Sequence, residues 1–516
     1  MSTLSHVPPI AADASSESRA LILAGGGMRV AYQAGVVKAL HEEGLRFSHA
    51  DGSSGGTINL AALLSGVTPD ELCGRWRTLN VHDFVSLLPL PDYLHVNLPA
   101  LGSAGSLEHK VYPELGIDLA KVKAATGINA SFNVCRFDTK TVVPLSQQQL
   151  DLSRLVAAAS LPMFMPAVRC DGATWTDAVW IQDANLLAAI QRGARELWVV
   201  WCIGDTPQFK NGTFNQYVHM IEMSAIGALN KELEAIAQFN RRIESGETIW
   251  GHDRPIVVHL VKPEYPLPLD PAFYLGHIDA ATLIDLGYAD ARRYLYNRLP
   301  QGIALAPGAT KTLTPGVGVR FREMMTGGFS LRASDPVDGA KQGAQTPLSM
   351  HASIYIPDIR AFIADPQHRA PLAGHIDFAP FGLAIPAESG TFQLFAPTKD
   401  ADITWMVYDL GFRHNGKSYY LAGHKIVRIG APWKLWPDTT TLYTTLHEGT
   451  DATGSVIGAG VLRLGASELL KLLRTLHATD ADAPGDVRRA IGGFFSFFSS
   501  ELLRTYILRR PLANSQ

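Results

Sequence analysis

A serine among glycines is the first group in this sequence with the potential for catalysis. Ser54 lies at the centre of Gly52-Ser53-Ser54-Gly55-Gly56, which fits the pattern GxSxG. Small residues at Gly52 and Gly56 let the backbone make the strained strand-to-helix turn that exposes a nucleophilic hydroxyl. The positive end of the helix that follows favours a developing alkoxide at that hydroxyl. Because the chain has 46 glycines, an ordinary glycine-rich loop capped by serine is the alternative interpretation.

Three consecutive glycines upstream of this motif follow an apolar strand and precede a helix. Their backbone N–H groups can turn toward one point and bind a negatively charged oxygen. We therefore predict that this loop forms an oxyanion hole. Its members are Gly25, Gly26, Gly27, Met28 and Arg29. A dinucleotide-binding fingerprint is the competing interpretation, and it is disfavoured because Val30 replaces its last glycine and the chain then leads straight to Ser54.

An aspartate that follows a predicted hairpin is the candidate base. Asp171-Gly172, flanked by two four-residue runs, is typical of a tight hairpin turn. That geometry places Asp171 at the tip, where it has a structural role, and Asp177 at the far end of the returning strand. From a strand end, Asp177 can reach a neighbouring loop. The alternative is that Asp177 caps the next helix, although Asp183 would serve that purpose better.

The 17 histidines of the chain do not complete a triad in any obvious way. His259 lies inside an apolar strand and is interpreted as a core residue, whereas His277 precedes a helix and is interpreted as a surface residue. These two would be the first candidates if a histidine did take part. The seven histidines between His351 and His477 show no ligand spacing, so we predict no metal and no cofactor.

The elements around these motifs alternate between short strands and helical stretches, which favours an α/β layered domain. The predicted strands are 21–23, 132–135, 197–203 and 256–261, and the predicted helices are 28–43, a helix after Gly56, and 217–243. We place this domain at 19–300, after a flexible polar leader at 1–18. Residues 85–107 are either a packed irregular connection or a substrate-facing cap.

From about Thr312 the sequence consists of strand-like runs broken by turn residues. Asn415-Gly416 between alternating runs is a strong signal for a type I′ hairpin. We predict a β-rich second domain at 312–465 and a helical tail at 466–516. The phenylalanine-rich part of the tail, 494–498, has an amphipathic pattern that could dock on a membrane, and packing on its own domain is the favoured interpretation.

The bulk composition agrees with a globular protein of more than one domain. The chain has 516 residues, which is too many for one core, and its hydrophobic fraction is 47%. A net charge of -3 disfavours a nucleic-acid partner. The four cysteines match no zinc or CxxC pattern and are expected to be reduced. No apolar run reaches a membrane span, so we expect a cytoplasmic protein, with a peripheral membrane contact left open. The sequence does not indicate an oligomeric state.

Taken together and in this order, the motifs resemble the patatin-like phospholipase family. That family has a glycine-rich loop with a basic residue, then GxSxG, then a proline-containing segment and an aspartate in DG[AG]. The resemblance covers about residues 20–298. It implies a three-layer α/β domain with a mostly parallel central sheet. It also implies a Ser54–Asp177 dyad that hydrolyses lipid esters without a histidine.

The sequence departs from the family pattern at the aspartate. Asp177-Ala178-Val179 stands where the family has DG[AG], and Gln182 stands where it usually has asparagine. A literal DGA begins at Asp171, but its hairpin context argues against it. The altered motif keeps two alternatives open: a non-catalytic lipid-binding protein on the same fold, or an acyltransferase or thioesterase.

The C-terminal region carries a second, looser resemblance. Runs such as FREMMTGGFS and YYLAGHK are similar to an accessory module of cholesterol-oxidase-like oxidoreductases and lipid hydrolases. The resemblance brings no catalytic motif and implies only a role near sterols or other lipids.

Overall fold

The computed structural model describes residues 5–12, 18–84, 100–481 and 483–508. The chain forms two compact units, which are Met1–Leu275 with Asp279–Thr314 and Gly276–Ile278 with Pro315–Gln516. The main boundary falls close to Thr312, where the sequence changes character.

The first unit is built around an eight-stranded sheet. Its strands are β1 (Arg19–Leu23), β2 (His49–Ser53), β3 (Asn129–Arg136), β4 (Thr141–Ser146), β5 (Val168–Cys170), β6 (Ala173–Thr176), β7 (Glu196–Val200) and β8 (Val257–Val261). They lie in the order β5-β6-β3-β2-β1-β7-β8, with β4 also paired to β3. Neighbours among β3, β2, β1, β7 and β8 are parallel, whereas β4, β5 and β6 pair antiparallel. The predicted, mostly parallel sheet is therefore confirmed.

Helices connect and cover these strands. They are α1 (Ala31–Glu42), α2 (Gly55–Leu64), α3 (Pro69–Thr78), α4 (Tyr112–Glu114), α5 (Leu119–Ala124), α6 (Leu152–Ala158), α7 (Leu186–Gln191), α8 (Thr213–Glu244), α9 (Asp270–Tyr274) and α10 (Ala280–Tyr296). Short 3-10 turns occupy Gly27–Val30 and Val81–Asp83, and a π-helical turn occupies Leu107–Val111.

The central strands are buried on both faces. Ile22 on β1 belongs to one apolar cluster with Leu186 of α7 and Leu233 of α8. Side chains alternate along a strand, so Leu21 and Leu23 face the opposite side, and they too are fully buried. A strand covered on both faces reads as a continuous apolar run, as β1 does. The three-layer α/β fold is confirmed.

Strand β2 is polar although it lies in the middle of the sheet. The carboxylate of Asp51 is fully buried and accepts hydrogen bonds from Ser131 and Asn133, with Arg192 3.8 Å away. Burial raises the pKa of Asp51 to about 6, and these partners oppose the rise. The polar network explains how the strand before Ser54 can be central without being apolar.

The structure describes only part of the predicted N-terminal leader (1–18) and of the irregular stretch 85–107. Residues 1–4 and 13–17 of the predicted flexible leader lie outside the described residues. Residues 5–12 are packed, because Ile10 is buried and its carbonyl accepts from Phe47. The prediction of a flexible leader is therefore wrong for 5–12. In the stretch 85–107, residues 85–99 lie outside the described residues, and Leu101 bonds the backbone of Met163.

The second unit is a closed antiparallel sheet. Its strands are β9 (Gly318–Ser330), β10 (Pro347–Ile356), β11 (Arg369–Phe378), β12 (Gly382–Pro397), β13 (Ile403–His414), β14 (Lys417–Arg428), β15 (Thr441–Glu448), β16 (Val456–Arg463) and β17 (His477–Thr479). Each strand from β9 to β16 pairs with the next, and β16 pairs back to β9. These eight strands form an up-and-down barrel, to which β17 is added along β9.

The barrel interior is filled by side chains, most of them apolar, including Phe321, Met325 and Phe392. One buried ion pair, Lys425 with Glu323, lies among them at 2.5 Å. At the turn between β13 and β14, His414 pairs with Lys417 across the predicted hairpin, and Asn415 and Gly416 both have positive φ. The β-rich second domain and its type I′ hairpin are confirmed.

Five helices, of which α15 is the longest, belong to the part of the second unit that the structure describes. They are α11 (Pro336–Gln342), α12 (Ile359–Ala364), α13 (Leu435–Thr440), α14 (Ala466–Thr475) and α15 (Pro484–Leu503). Within residues 466–481 and 483–508 of the predicted helical tail, the regular structure is helical apart from strand β17. Phe494 packs 5.8 Å from Phe321 and Phe498 packs 5.6 Å from Phe395, measured between ring centroids. The favoured interpretation, in which this stripe packs on its own domain, is confirmed for these two rings.

Among the helices that the structure describes, none combines the length and the apolar character needed to cross a membrane.

Candidate active site

Ser54 lies on a strained turn between β2 and α2. Its φ of 50° and ψ of −130° are unusual for a residue with a side chain, and α2 begins at the next residue. Gly56 makes the turn possible, because a Cβ there would lie 2.1 Å from the carbonyl oxygen of Leu23. This is the local geometry of a nucleophile elbow, in which the hydroxyl is held at the end of the sheet.

The hydroxyl of Ser54 donates a hydrogen bond to the carboxylate of Asp177. The distance between Ser54 Oγ and Asp177 Oδ2 is 2.5 Å, and both side chains are buried. Asp177 directly follows β6, and its second oxygen, Oδ1, accepts from the backbone N–H of Val179 at 2.9 Å. The carboxylate is therefore fixed in orientation with one oxygen directed at the serine.

Burial changes the acidity of this carboxyl group. It raises the pKa of Asp177 to about 7, and the hydrogen bonds from Ser54 and Val179 oppose the rise. A carboxylate with a pKa near neutrality is a far better proton acceptor than one with the ordinary value of 3.8. The site thus pairs a strained serine with a carboxylate whose pKa would suit proton transfer at neutral pH.

The departure from DG[AG] does not distort the dyad. Ala178 is fully buried, and it is not among the residues with positive φ, so its methyl group adds no backbone strain. Its carbonyl accepts from the backbone N–H groups of Ile181 and Gln182, both at 2.9 Å. The amide of Gln182 donates to Glu232, away from Ser54.

The carboxylates of two aspartates accept hydrogen bonds from backbone N–H groups of the glycine-rich loop. Both carboxylate oxygens of Asp183 lie 3.0 Å from the N–H of Gly25. Asp270, at the start of α9, accepts from the N–H of Met28 at 3.2 Å. Burial, followed by the nearby charge of Asp177, raises the pKa of Asp183 to about 8, and burial also raises the pKa of Asp270.

These contacts show which of the five predicted oxyanion-hole residues already use their backbone N–H groups in hydrogen bonds. The N–H groups of Gly25 and Met28 already have carboxylate partners, and Arg29 donates to the carbonyl of Gly26 through both its backbone N–H and its Nε. Among the residues that the structure describes, the N–H groups of Gly26 and Gly27 make no hydrogen bond. These two groups are therefore the ones left to bind a ligand oxygen.

The sequence did not reveal the functions of Asp183 and Asp270. The interpretation of Asp183 as a helix cap is wrong. Asn185 stands at the N-cap of α7, and Glu232 accepts from the backbone N–H of Leu186 at 2.6 Å. Asp183 and Asp270 are 158 and 242 residues from the loop residues that they bind. No local pattern could have predicted contacts over such separations.

The remaining candidate residues, His259, His277 and Asp171, make contacts of a structural kind. His259 is buried in β8, stacks on Trp198 at 4.2 Å and bonds the hydroxyl of Tyr294, and burial lowers its pKa to about 4. The prediction of a core residue is confirmed. His277 stacks on His477 at 4.3 Å. Asp171 has a φ of 51° at the hairpin tip and pairs with Arg154, as expected of a structural residue.

The cysteines are free thiols. Cys73, Cys135 and Cys202 are buried and Cys170 is partly so, which confirms the expectation of reduced residues.

Several partly exposed apolar side chains lie on the segment that precedes Asp177 and on α8. The carbonyl of Ser160 accepts from the N–H of Asp177 at 3.1 Å. Just beyond it, Phe164 packs 5.4 Å from Tyr217 of α8 between ring centroids. Met163 directly precedes Phe164 and is 45% exposed, and Met220, three residues after Tyr217 on α8, is 50% exposed. We name the surface formed by Met163, Phe164, Phe214, Tyr217 and Met220 the apolar rim.

A separate cleft of about 480 Å³ lies along α8. Its walls include Ile181, Met223, Lys231 and Glu232. Neither Ser54 nor Asp177 lines it, so this cleft is not part of the dyad.

One comparison with known proteins covers the segment that carries Ser54 and Asp177. Residues 21–190 match the family model of the patatin-like phospholipases. One similar solved structure is that of VipD from Legionella pneumophila, with 12% identity over 57% of this chain and 71% of that chain, and a TM-score of 0.29, which is too low to support an argument. No curated protein matches the chain.

Residues 21–190 are therefore similar to the patatin-like phospholipase family. That family consists in general of hydrolases that act on lipid esters, and this is the class of activity that the match indicates. The similarity of the C-terminal region to an accessory module of oxidoreductases stays a prediction.

Proposed function

We propose that this protein hydrolyses carboxylic esters of lipids through an acyl-enzyme on Ser54, with Asp177 as its only catalytic base. The observation that carries the proposal is the 2.5 Å hydrogen bond from Ser54 Oγ to Asp177 Oδ2. A serine on a strained turn, bonded to a buried carboxylate with a raised pKa, has the features of an activated nucleophile. The family of residues 21–190 supports a lipid ester as the substrate.

In this mechanism Asp177 accepts the proton of Ser54 while Oγ attacks the ester carbonyl. The oxyanion that forms is bound by the N–H groups of Gly26 and Gly27. Donors of this kind typically contribute about 3–4 kcal/mol each to acyl transfer. When this tetrahedral intermediate collapses, the C–O bond to the alcohol breaks, and protonated Asp177 donates its proton to the leaving alkoxide, which departs as the alcohol. A water molecule, deprotonated by the regenerated carboxylate of Asp177, then attacks the acyl-enzyme; as the second intermediate collapses, the proton returns to Ser54 Oγ and the carboxylic acid is released.

The apolar rim supports a substrate with long acyl chains. Exposed methionine and aromatic side chains give a surface that adapts to hydrocarbon of variable shape. We propose that this rim meets the lipid surface from which the substrate is taken, as a peripheral contact. No nucleic acid or cofactor is part of this proposal.

The test is hydrolysis of a panel of phospholipid, triacylglycerol, steryl ester and acyl-CoA substrates. Ser54→Ala should reduce turnover to the uncatalysed background, whereas Ser65→Ala, a matched buried serine at the end of α2, should keep most activity. Wild-type turnover that persists in Ser54→Ala would overturn the proposal.

The same panel addresses the two alternatives. Preferential turnover of acyl-CoA would favour the thioesterase or acyltransferase reading. Absence of turnover on every substrate would favour a lipid-binding protein. The lipid-binding alternative was suggested by the altered motif at Ala178. That motif leaves the hydrogen bond between Ser54 and Asp177 in place and adds no backbone strain, which argues against the lipid-binding alternative.

A further inference from the structure

Three potential metal ligands meet on one face of the barrel wall in the second unit. His351 on β10 lies directly opposite His375 on β11 in the antiparallel register, and Asp377 follows two residues later on β11. The two imidazole rings are stacked with centroids 4.3 Å apart and an interplanar angle of 11°. The ligand atoms of all three side chains lie within 4.8 Å of one another.

The three side chains point away from the barrel interior. Met350 and Ile376, which neighbour the two histidines in sequence, are buried in the apolar core of the barrel. Successive side chains alternate between the two faces of a strand, so His351 and His375 lie on the outer face. His375 is 7% exposed, while the side chains of His351 and Asp377 are each 32% exposed. The cluster is thus partly sheltered and still open to an ion from solution.

Hydrogen bonds already orient the carboxylate. Asp377 Oδ2 lies 2.9 Å from Nε2 of His351, and Asp377 Oδ1 accepts from the N–H of Ala384 at 2.7 Å. Ala384 belongs to the next strand, β12. A carboxylate fixed by backbone and set against two imidazoles on rigid strands resembles the preorganised ligand sets of metal sites.

We propose that His351, His375 and Asp377 bind one divalent transition-metal ion, such as Zn²⁺, with solvent at the remaining position. Two imidazole nitrogens and one carboxylate oxygen suit zinc and its neighbours, whereas Mg²⁺ and Ca²⁺ prefer all-oxygen sets. Zinc–ligand bonds of about 2.1 Å place tetrahedral ligand atoms about 3.4 Å apart. Ligand atoms that now lie up to 4.8 Å apart must therefore approach one another by at most about 1.4 Å. Side-chain torsions on fixed strands can supply such a change.

This inference reverses the prediction that the histidines of the second half bind no metal. His351 and His375 are 24 residues apart, which fits no ligand pattern that can be recognised in a sequence. Only the strand register brings them together. The site is independent of the proposed hydrolase function, because none of its residues takes part in the dyad.

The test uses the full chain, stripped with a chelator and titrated with ZnCl₂ by calorimetry. We expect one Zn²⁺ per chain at this site, with affinity at least about 100-fold lower in His375→Ala and in Asp377→Asn, because even outer-shell changes cost 10–100-fold. His424→Ala, a matched histidine on β14, should bind as the wild type does. A Zn²⁺-dependent rise in the unfolding temperature should follow the same pattern.

Co²⁺ provides a spectroscopic readout that a structural role of these residues would not produce. Visible absorption bands of low-symmetry Co²⁺ should appear in the wild type and in His424→Ala, and should be lost in His375→Ala. Asp377→Asn keeps the side-chain shape, so it tests the site even if His375→Ala fails to fold. Equal binding by the wild type and Asp377→Asn, or no binding by the wild type, would overturn the proposal.

Discussion

Replacing Asp177 with asparagine should abolish ester hydrolysis and at the same time stabilise the first unit above neutral pH. The carboxyl group has a pKa of about 7 in the folded chain, against an ordinary value of 3.8. A raised folded-state pKa means that the folded chain holds this proton more tightly than the unfolded chain does. The stability that depends on the proton is therefore present at low pH and is lost as the pH rises toward 7.

The size of this change in stability follows from the difference between the folded-state pKa and the ordinary pKa of Asp177. Each pH unit between the two pKa values corresponds to about 1.4 kcal/mol, so the wild type should lose about 3 kcal/mol between pH 5 and pH 8 through this group. Asparagine does not titrate. The stability advantage of Asp177→Asn over the wild type should therefore grow by about 3 kcal/mol across that interval. Asp51 and Glu232 titrate in both proteins and cancel to first order. Asp183 does not cancel, because Asp177→Asn removes the charge that helps to raise the pKa of Asp183, and this adds to the difference in the same direction.

Hydrogen exchange of peptides from β1 and β7 measures the stability of the first unit without interference from the second. Wild type and variant are compared at the same pH, so intrinsic exchange rates cancel. Ser54→Ala is the matched control, because it is also inactive but keeps the titrating carboxyl group. Its pH dependence should be at least as large as that of the wild type, because losing the Ser54 hydrogen bond raises the pKa of Asp177 further. A constant difference between Asp177→Asn and the wild type at pH 5 and pH 8 would refute the reasoning.

Three further predictions follow from particular contacts. Since Asp177 must be ionised to act as a base, kcat/KM should rise about tenfold per pH unit below its pKa of about 7 and level off above it, as a pH–rate profile would show. Gly25→Ala would place a Cβ 2.3 Å from a carboxylate oxygen of Asp183 and should lower kcat about 100-fold by displacing the loop. The control Gly74→Ala, where nothing lies within 4 Å of the added Cβ, should keep its kcat. Full activity in Gly25→Ala would contradict this prediction. Lys425→Met leaves the buried Glu323 without its cation and should destabilise the barrel by about 3–5 kcal/mol in urea unfolding, and an unchanged midpoint would count against the buried ion pair.

The sequence was most informative where local chemistry dictates local structure. The apolar run of β1 and the glycines around Ser54 predict a buried strand and a tight turn, and both are present. Asn415-Gly416 predicts a hairpin for the same kind of reason, since only residues that tolerate positive φ fit its turn. The order of the sequence motifs also predicted which aspartate approaches Ser54.

Contacts between distant segments could not be predicted. Asp183 and Asp270 reach the glycine loop only because the sheet and its connections bring remote parts of the chain together. The sequence therefore predicted five oxyanion-hole residues, and the structure leaves two of their N–H groups available. The pairing of His351 with His375 depends likewise on the register of β10 and β11, which no spacing rule contains.

Mass-spectrometric mapping of a fluorophosphonate adduct tests the central claim most directly, because the probe reacts only with an activated nucleophile. We predict a single adduct on Ser54 in the wild type, strongly slowed labelling in Asp177→Asn, and none in Ser54→Ala. An esterase-active protein that is labelled at another residue, or is labelled equally fast without the carboxylate of Asp177, would contradict the dyad.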